Sequence, residues 1–214
     1  MLNKIVLINY GAGNMASVRN ALAAIDQPYL EVSTGPLPSA SDHIYILPGV
    51  GSFAEASRAL QVLNFETQSF RSVKLIGICL GMQLLFTDST EGGFSHGLSL
   101  ISGNIRPIRD FLPTGSSFRL PHVGWQELDY FPQNSPFSLS PFVKHDFYFV
   151  HSFMATSVDP SNIIASVEYG GISIPAIVGN KSVIGFQFHP EKSGHHGLTL
   201  LREAICYLDI FKHY

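Results

Sequence analysis

The first half of the sequence repeats one unit three times: a short apolar run, a glycine-rich turn and a helical pattern. The apolar runs begin at Ile5, Ile44 and Leu75, and each is short enough for a buried strand. Because strands that alternate with helices are joined by right-handed crossovers, this order predicts parallel strands in one sheet. Ligands of such sheets bind beyond the carboxyl ends of the strands. We therefore expect the functional residues in the glycine-rich turns.

The second half of the sequence has a different pattern. Strand-like runs separated by loops rich in Pro, Ser, Asn and Gly predict an antiparallel extension of the sheet, and they cover residues 103–109, 147–150, 163–169, 176–179 and 183–188. A closing helix is expected over residues 194–211, with Cys206 buried beside its apolar stripe. The two halves together predict an α/β fold: a flavodoxin-like, open, mostly parallel sheet flanked by helices, with an antiparallel extension.

Length and composition limit the class of protein. A chain of 214 residues fits one domain, so residues 1–214 are expected to form a single domain. The formal net charge of −3, without clustered Lys and Arg, argues against a nucleic-acid partner. No stretch is long enough to span a membrane and no signal-peptide pattern is present, which predicts a cytoplasmic protein. The two cysteines are then expected to be thiols, and they are too few to form a zinc site alone.

A candidate nucleophile lies in the third glycine-rich turn. Residues 77–81 read Gly-Ile-Cys-Leu-Gly, which is the glycine-x-nucleophile-x-glycine form of a sharp turn between a strand and a helix. The glycines relieve crowding around a residue in a strained conformation and let a substrate approach the main chain. This pattern favours Cys79 as a nucleophile; the alternative is a buried structural cysteine in a strand.

A candidate base follows the last predicted strand. A cysteine nucleophile needs a base, and the base needs an acceptor that orients it. His189 could take the thiol proton and deliver it to the leaving group, while Glu191 fixes the imidazole tautomer. The oxyanion needs backbone donors, which the N–H groups of Val50 and Leu80 could supply. Residues 48–51, Pro-Gly-Val-Gly, could also be a plain tight turn.

Several motifs resemble those of a known family. The sequence is similar, over nearly its whole length, to the class I glutamine amidotransferases, and within them to the glutaminase subunits of imidazole glycerol phosphate synthase. The segments that carry the resemblance are residues 9–14, 47–53, 77–86, 121–125, 148–152 and 185–193. Segments 77–86 and 185–193 are specific to the class, whereas Pro-Gly-Val-Gly and Pro-His-x-Gly-Trp point to this subunit.

The resemblance implies a role for each site residue. The family's nucleophile, base and orienting carboxylate correspond to Cys79, His189 and Glu191. The family's contacts to glutamine and to the oxyanion fall on Val50, Gly51, Leu80, Gln83, Glu91 and Ser152. Neither a metal ion nor a cofactor is implied. The family's site is also inactive without acceptor, through an unfavourable orientation of the peptide that here joins Gly49 to Val50.

The resemblance also implies a partner. It would be the (β/α)8-barrel cyclase subunit of imidazole glycerol phosphate synthase, which receives ammonia in its interior and makes imidazole glycerol phosphate and AICAR in histidine biosynthesis. Ammonia in neutral water is mostly protonated, so a sealed path within a heterodimer would keep it nucleophilic. The candidate interface residues are Asn14, His122, Trp125 and Lys192. Packing in the core is the alternative for Trp125.

Some positions depart from the family pattern and leave other functions open. Phe153 and Met154 stand where tyrosine is usual, and Gln126 stands where asparagine is common. A related glutaminase subunit of surface-sugar (lipopolysaccharide) biosynthesis is therefore an alternative. A cysteine peptidase or chaperone-like hydrolase of this fold would carry histidine directly after the nucleophile, where Leu80 stands. A stand-alone γ-glutamyl hydrolase and a non-catalytic module are the remaining alternatives.

Overall fold

A central sheet of eight strands organises the molecule, seen in a computed structural model that describes residues 4–11, 13–34, 37–38, 43–62, 73–115, 117–131, 142 and 144–210. The strands are β1 (Ile5–Ile8), β2 (Tyr29–Val32), β3 (Ile44–Leu47), β4 (Lys74–Ile78), β5 (Asp88–Ser89), β6 (Ser95–His96), β7 (Asn104–Pro107), β8 (His122–Gln126), β9 (Asp129–Tyr130), β10 (Phe147–His151), β11 (Phe153–Thr156), β12 (Ile163–Tyr169), β13 (Ile172–Gly179) and β14 (Val183–Phe186). The helices are α1 (Met15–Ala24), α2 (Phe53–Val62), α3 (Leu80–Gln83) and α4 (Gly194–Ile210).

The order of strands in the central sheet is β2-β1-β3-β4-β14-β13-β12-β9. Strands β2, β1, β3, β4 and β14 are parallel, and β13, β12 and β9 continue the sheet antiparallel. The parallel part has the flavodoxin-like order, in which ligands bind at the carboxyl ends of the strands. The predicted fold class is therefore confirmed.

Two of the predicted strands do not extend the central sheet. The run at 103–109 contributes β7, which joins a four-stranded sheet with β11, β5 and β6. The run at 147–150 contributes β10, which pairs antiparallel with β8. The expectation for these two runs was wrong because a sequence pattern marks a strand without showing which strand it pairs with. Their partners β8 and β11 lie elsewhere in the chain.

Apolar residues cover both faces of the central sheet. Ile5 and Leu7 belong to one buried cluster with residues of α1 and α4, while Val6 and Ile8 belong to another with α2 and α3. Strands covered on both faces are apolar at every position, which explains the continuous runs in the sequence. Within the described residues, no helix combines the length and the apolar character that crossing a lipid bilayer would require.

The closing helix α4 begins at the predicted residue and is described to Ile210; residues 211–214 lie outside the described part. Its stripe of Leu201, Ile205 and Leu208 is buried as expected. Cys206 is exposed, so the prediction of a buried thiol was wrong. One residue beyond Ile205 is a rotation of about 100° around the helix, which turns the thiol away from the sheet.

Candidate active site

Cys79 occupies a sharp turn between β4 and α3. Its backbone has φ +54° and ψ −109°, a conformation that costs a non-glycine residue on the order of 1–3 kcal/mol. A Cβ on Gly77 would collide with the Gly81 carbonyl, and one on Gly81 would collide with the Leu47 carbonyl. The flanking glycines therefore allow the close approach of backbones that presents the Cys79 side chain. This is the geometry of a nucleophile elbow.

His189 and Glu191 form a buried pair beside Cys79. His189 Nδ1 lies 2.6 Å from Glu191 Oε1, and both side chains are fully buried. The other ring nitrogen, Nε2, makes no hydrogen bond within the described part of the chain and is available to the thiol. Burial lowers the pKa of His189, but its interactions with Cys79 and Glu191 outweigh this effect and raise that pKa to about 9. The imidazole is therefore protonated at neutral pH.

Asn14 joins this pair from the start of α1. Its backbone is left-handed, with φ +73°, and its amide Nδ2 donates to Glu191 Oε1 and lies 3.4 Å from His189 Nδ1. The sequence predicted Asn14 only as an interface residue, so its contact with Glu191 was missed. Asparagine is one of the few residues that tolerate a left-handed backbone, and its place directly before a helix was the available signal. The amide fixes the carboxylate that orients His189.

The two predicted oxyanion donors do not converge in this structure. The Leu80 N–H donates to the Gly49 carbonyl oxygen at 3.3 Å. The peptide between Gly49 and Val50 is trans, so its N–H points opposite to its carbonyl and away from the Leu80 amide. A Cβ on Gly49 would collide with the hydroxyl of Tyr10, which is buried and has no hydrogen-bond partner among the described residues. The structure therefore does not bring the N–H groups of Val50 and Leu80 together at one point.

A cavity of about 220 Å³ opens in front of the Cys79 thiol. All of the predicted substrate-binding residues line it together with Cys79: Val50, Gly51, Leu80, Gln83, Glu91 and Ser152. Residues from four separate segments of the chain thus meet at one place, at the carboxyl ends of the parallel strands, as the strand order predicts. The cavity is the candidate substrate pocket.

Gln83 and Glu91 hold fixed positions in this pocket. Gln83 Nε2 donates to the Phe153 carbonyl at 3.2 Å and to Gln187 Oε1 at 3.1 Å. Glu91 Oε2 accepts the N–H of Phe53 at 2.9 Å. Burial raises the pKa of Glu91, while the bond from Phe53 opposes that rise. A partly buried carboxylate attracts a cation strongly because little water screens the charge.

Two of the predicted interface residues form an exposed cluster with Tyr148. The rings of Trp125 and Tyr148 lie 5.6 Å apart, and Lys192 Nζ lies 6.0 Å from the centre of the Tyr148 ring. Trp125 is 53% exposed, so packing in the core is excluded for it. Tyr148 also approaches the His189 ring, at 6.4 Å, which places this cluster next to the candidate triad.

His122 is the interface prediction that the structure corrects. The residue is 1% exposed, on the inner side of β8. Neighbouring residues of a strand face opposite sides, so Val123 and Trp125 point outward while His122 points inward. The ring stacks on Phe149 and Tyr169. His122 thus has no surface to offer a partner.

A thiol on an elbow, a buried imidazole with its carboxylate and a shared pocket define the candidate site of a cysteine-dependent hydrolase on an α/β fold. Residues 6–206 match the profile of the family described as glutamine amidotransferase class-I, and the chain belongs to that family. The sequence is 41% identical over 201 residues to imidazole glycerol phosphate synthase subunit HisH of Bacillus velezensis, across 92% of this chain and 93% of that protein. The subunit HisH of Staphylococcus aureus is 40% identical over 203 residues, across 94% and 96% of the two chains.

Solved structures share the fold at low sequence identity. A crystal structure of a glutamine amidotransferase superposes with a TM-score of 0.69 at 15% identity, covering 97% of this chain and all (100%) of the other. The glutaminase domain of Trypanosoma brucei CTPS, solved with bound acivicin, gives a TM-score of 0.53 at 15% identity, covering 98% and 94% of the two chains. At 15% identity, these superpositions show a shared fold only.

Proposed function

We propose that this chain is a glutaminase subunit in which Cys79, His189 and Glu191 hydrolyse glutamine to glutamate and ammonia. The observation that carries the proposal is the pocket, because it brings the Cys79 thiol together with every residue expected to hold glutamine. A carboxylate, a carboxamide and backbone groups surround the thiol there. These groups match the ammonium, the side-chain amide and the carbonyl oxygen of glutamine.

The proposed reaction proceeds through a covalent thioester. The Cys79 thiol passes its proton to His189, and the sulfur attacks the side-chain amide carbon of glutamine as the carbonyl electron pair moves to the oxygen. His189, which is protonated at neutral pH, gives its proton to the amide nitrogen as the carbon–nitrogen bond breaks and ammonia leaves. Water then attacks the thioester with His189 as base, and the carbon–sulfur bond breaks. Glutamate leaves and the thiol is restored.

Substrate orientation follows from the charges in the pocket. The Glu91 carboxylate faces the α-ammonium of glutamine, and its bond from Phe53 N–H holds it in place. The backbone at Gly51 and Ser152 lies along the same pocket and contacts the α-carboxylate side of the substrate. Gln83 contacts the side-chain amide. Glutamine is thereby held with its reacting carbon at the sulfur, and such positioning contributes several kcal/mol to catalysis, on the order of 7–11 in the best cases.

The resting conformation of the oxyanion loop supports a gated enzyme. The Gly49 carbonyl occupies the Leu80 N–H, which is one of the two donors expected for the oxyanion. Removal of one such donor costs enzymes about 10²–10³ in rate. We propose that binding of the acceptor-loaded partner rotates the peptide, so that the N–H of Val50 joins that of Leu80. Glutamine is then consumed only when an acceptor is ready.

The proposed partner is the (β/α)8-barrel cyclase subunit of imidazole glycerol phosphate synthase, in a heterodimer. The support is the name of the relatives, which are subunits of that synthase, and the exposed cluster of Trp125, Tyr148 and Lys192 beside His189. Docking there would pass ammonia directly into the barrel, where it forms imidazole glycerol phosphate and AICAR in histidine biosynthesis. The reaction needs a reduced thiol, which favours the cytoplasm as its location.

Glutamate release from glutamine tests this proposal. We expect a low rate for the isolated chain, a rise of about 10²–10³ with the cyclase and its nucleotide ligand, and no activity for Cys79→Ala. Full activity of the isolated chain would instead indicate a stand-alone hydrolase. If the cyclase does not stimulate glutamate release and a barrel partner from surface-sugar biosynthesis does, the chain would be assigned to that pathway.

A further inference from the structure

Two buried histidines outside the candidate triad form a pair on neighbouring strands. His122 of β8 lies opposite His151 of β10, and His122 Nδ1 is 2.9 Å from His151 Nε2. His151 Nδ1 lies 2.8 Å from the carbonyl oxygen of Phe153, which lines the substrate pocket. The residues are 1% and 6% exposed. The proposed reaction uses neither ring, although the pair ends on the pocket wall.

The hydrogen-bond acceptors around the two histidines determine which ring nitrogen of each carries the proton. Burial lowers the pKa of His122 to about 4 and that of His151 to about 3, so both rings are neutral at pH 7. A neutral imidazole carries one N–H. The Phe153 carbonyl can only accept, so the proton of His151 is on Nδ1 and its Nε2 is an acceptor. His122 must then donate from Nδ1, which leaves its own Nε2 as a bare acceptor.

Gln126 supplies the donor that this acceptor lacks. The His122 Nε2 and Gln126 Oε1 atoms are both buried and without a hydrogen bond in the described part of the chain, and the Gln126 side chain reaches the His122 ring. Gly124 lies between them on the strand and has no side chain to separate them. A half-turn of the carboxamide directs its N–H toward His122 Nε2. Each ring nitrogen of the pair is then satisfied.

We propose that Gln126, His122, His151 and the Phe153 carbonyl form one directed hydrogen-bond chain that positions Gln83 for glutamine. The inference rests on the proposed glutaminase function. Phe153 O also accepts Gln83 Nε2, whose second hydrogen goes to Gln187. Both amide hydrogens of Gln83 are thereby used, which leaves Oε1 as the side-chain atom of Gln83 that would accept an N–H of glutamine in the pocket. His122 and His151 are positioning residues, since they act through Phe153 and Gln83.

The chain of hydrogen bonds also connects the pocket to the exposed cluster. Strand β8 carries Val123 and Trp125 on its outer side, and His122 and Gln126 on its inner side. A partner seated on Trp125 would therefore contact the strand from which the hydrogen bonds start. A shift of β8 would change the hydrogen bond from His122 to His151. It would thereby change the hydrogen bond from His151 to the Phe153 carbonyl, which also accepts from Gln83. The surface and the pocket are linked within one pair of strands.

Nitrogen NMR of the full-length protein, with ¹⁵N-labelled histidine, tests the order of donors directly. We expect both His122 and His151 to be neutral at pH 7 with the proton on Nδ1, the less common tautomer in water. Signals are assigned by their loss in His122→Asn and His151→Asn. An Nε2–H tautomer or a charged ring at either position would overturn the inference. This result is independent of turnover, so it separates failure of the hydrogen-bond chain from failure of the glutaminase assignment.

Glutamine affinity tests the positioning role. In a Cys79→Ala background, which cannot turn over, we expect His122→Phe to weaken the Kd for glutamine about tenfold, because the donor to His151 is lost. His122→Asn keeps an N–H at the place of Nδ1 and should bind within about threefold of the parent. Equal losses in both variants, or an unchanged Kd in His122→Phe, would contradict the proposal. If His122→Phe does not fold, the NMR measurement of the His122 and His151 tautomers in the unmodified chain decides whether the proposal holds.

Discussion

One oxygen of the Glu191 carboxylate serves two partners. His189 Nδ1 and Asn14 Nδ2 both bond to Oε1. The carboxylate is buried, so it cannot exchange these partners for water, and its position fixes the imidazole that faces Cys79. We therefore propose that Asn14 contributes to catalysis by orienting His189. It comes from the other end of the chain, 177 residues before Glu191.

Replacement of Asn14 by glycine isolates the effect of its amide. Glycine adopts φ +73° without strain, so Asn14→Gly removes the side chain and keeps the backbone. Loss of a hydrogen bond to a charged group should lower kcat about tenfold or more, with little change in KM for glutamine. Steady-state kinetics with the partner present measures both constants. A change confined to KM would assign Asn14 to substrate binding and contradict the orienting role.

The raised pKa of His189 predicts how stability depends on pH. The native ring titrates near pH 9, against 6.5 for an unperturbed histidine. Between these values the native state holds a proton that the unfolded state has released. The contribution of His189 to the free energy of unfolding is therefore complete below about pH 6.5 and is lost as the pH rises to about 9. Urea unfolding at several pH values measures this loss.

His189→Gln and Cys79→Ser are the controls for this pH dependence. The first removes the titrating ring, and the second removes the thiol that helps to raise the pKa of His189. Both variants should show a flatter fall in unfolding free energy between pH 6.5 and about 9. A slope identical to that of the unmodified chain in His189→Gln would show that another group causes the effect.

The contrast between Cys79 and Asn14 shows what a sequence reveals about single residues. Cys79, His189 and Glu191 stand in short local patterns whose spacing reflects their chemistry, so they could be chosen before the structure. Asn14 and His122 act through contacts with residues far away in the chain, at 177 and 29 positions. Such contacts depend on which way a strand or helix turns its side chains, and no local pattern records that.

At the scale of single elements, the turn at Gly49 and Val50 has two contacts that bear on its proposed rotation. Gly49 packs against the buried Tyr10 hydroxyl, which has no hydrogen-bond partner among the described residues. An unsatisfied buried hydroxyl costs about 1–3 kcal/mol. This cost belongs to the conformation seen here, which the hydrogen bond from the Leu80 N–H to Gly49 O stabilises.

A double-mutant cycle on this loop tests that contact. Tyr10→Phe should raise the free energy of unfolding by about 1 kcal/mol, because it removes an unsatisfied hydroxyl. Gly49→Ala should lower it by about 1–3 kcal/mol, because the new methyl group meets that hydroxyl. In the double variant the loss should be smaller, giving a coupling energy of at least about 0.5 kcal/mol. Strictly additive effects would show that the two residues do not interact.

The buried strands β1, β3 and β4 could be predicted from the sequence, as could β7 and β10, but the sheets that β7 and β10 join could not. Strands β1, β3 and β4 are buried at every position because apolar clusters cover both faces of the sheet, and their runs are therefore mostly apolar. Strand β8 alternates instead, with the buried His122 next to the exposed Val123 and Trp125. Its role became visible only through its pairing with β10. His122 was therefore predicted as an interface residue although it is buried, and Gln126 was not predicted as a site residue.

At the scale of the whole molecule, one edge of the central sheet collects the functional groups. The candidate triad and the substrate pocket lie where the parallel strands end, and the cluster of Trp125, Tyr148 and Lys192 lies next to them on the surface. The two apolar clusters pack on opposite faces of the same sheet, and we propose that the chain forms one domain on that basis. Ammonia made in the pocket would need to travel only a short way to a docked partner.

Trp125→Ala should weaken binding of the cyclase without affecting the fold. An aromatic residue at the centre of an interface contributes about 2 kcal/mol or more, so the Kd should rise roughly thirtyfold. Val62→Ala is the control, because Val62 is 84% exposed at the end of α2 that lies away from the oxyanion loop. Calorimetric titration measures both variants. Equal affinities of the Trp125→Ala and Val62→Ala variants for the cyclase would show that the interface lies elsewhere.

The most direct measurement is the intact mass of the enzyme after acid quenching during turnover of glutamine with its partner. A glutamyl adduct should be found on Cys79, sensitive to hydroxylamine as a thioester is, and it should be absent in Cys79→Ala. In the isolated chain the thioester should form slowly, and little adduct should be found, because the oxyanion donors do not converge there. Steady glutamate release without any adduct, or with Cys79→Ala as active as the unmodified chain, would contradict the proposed mechanism.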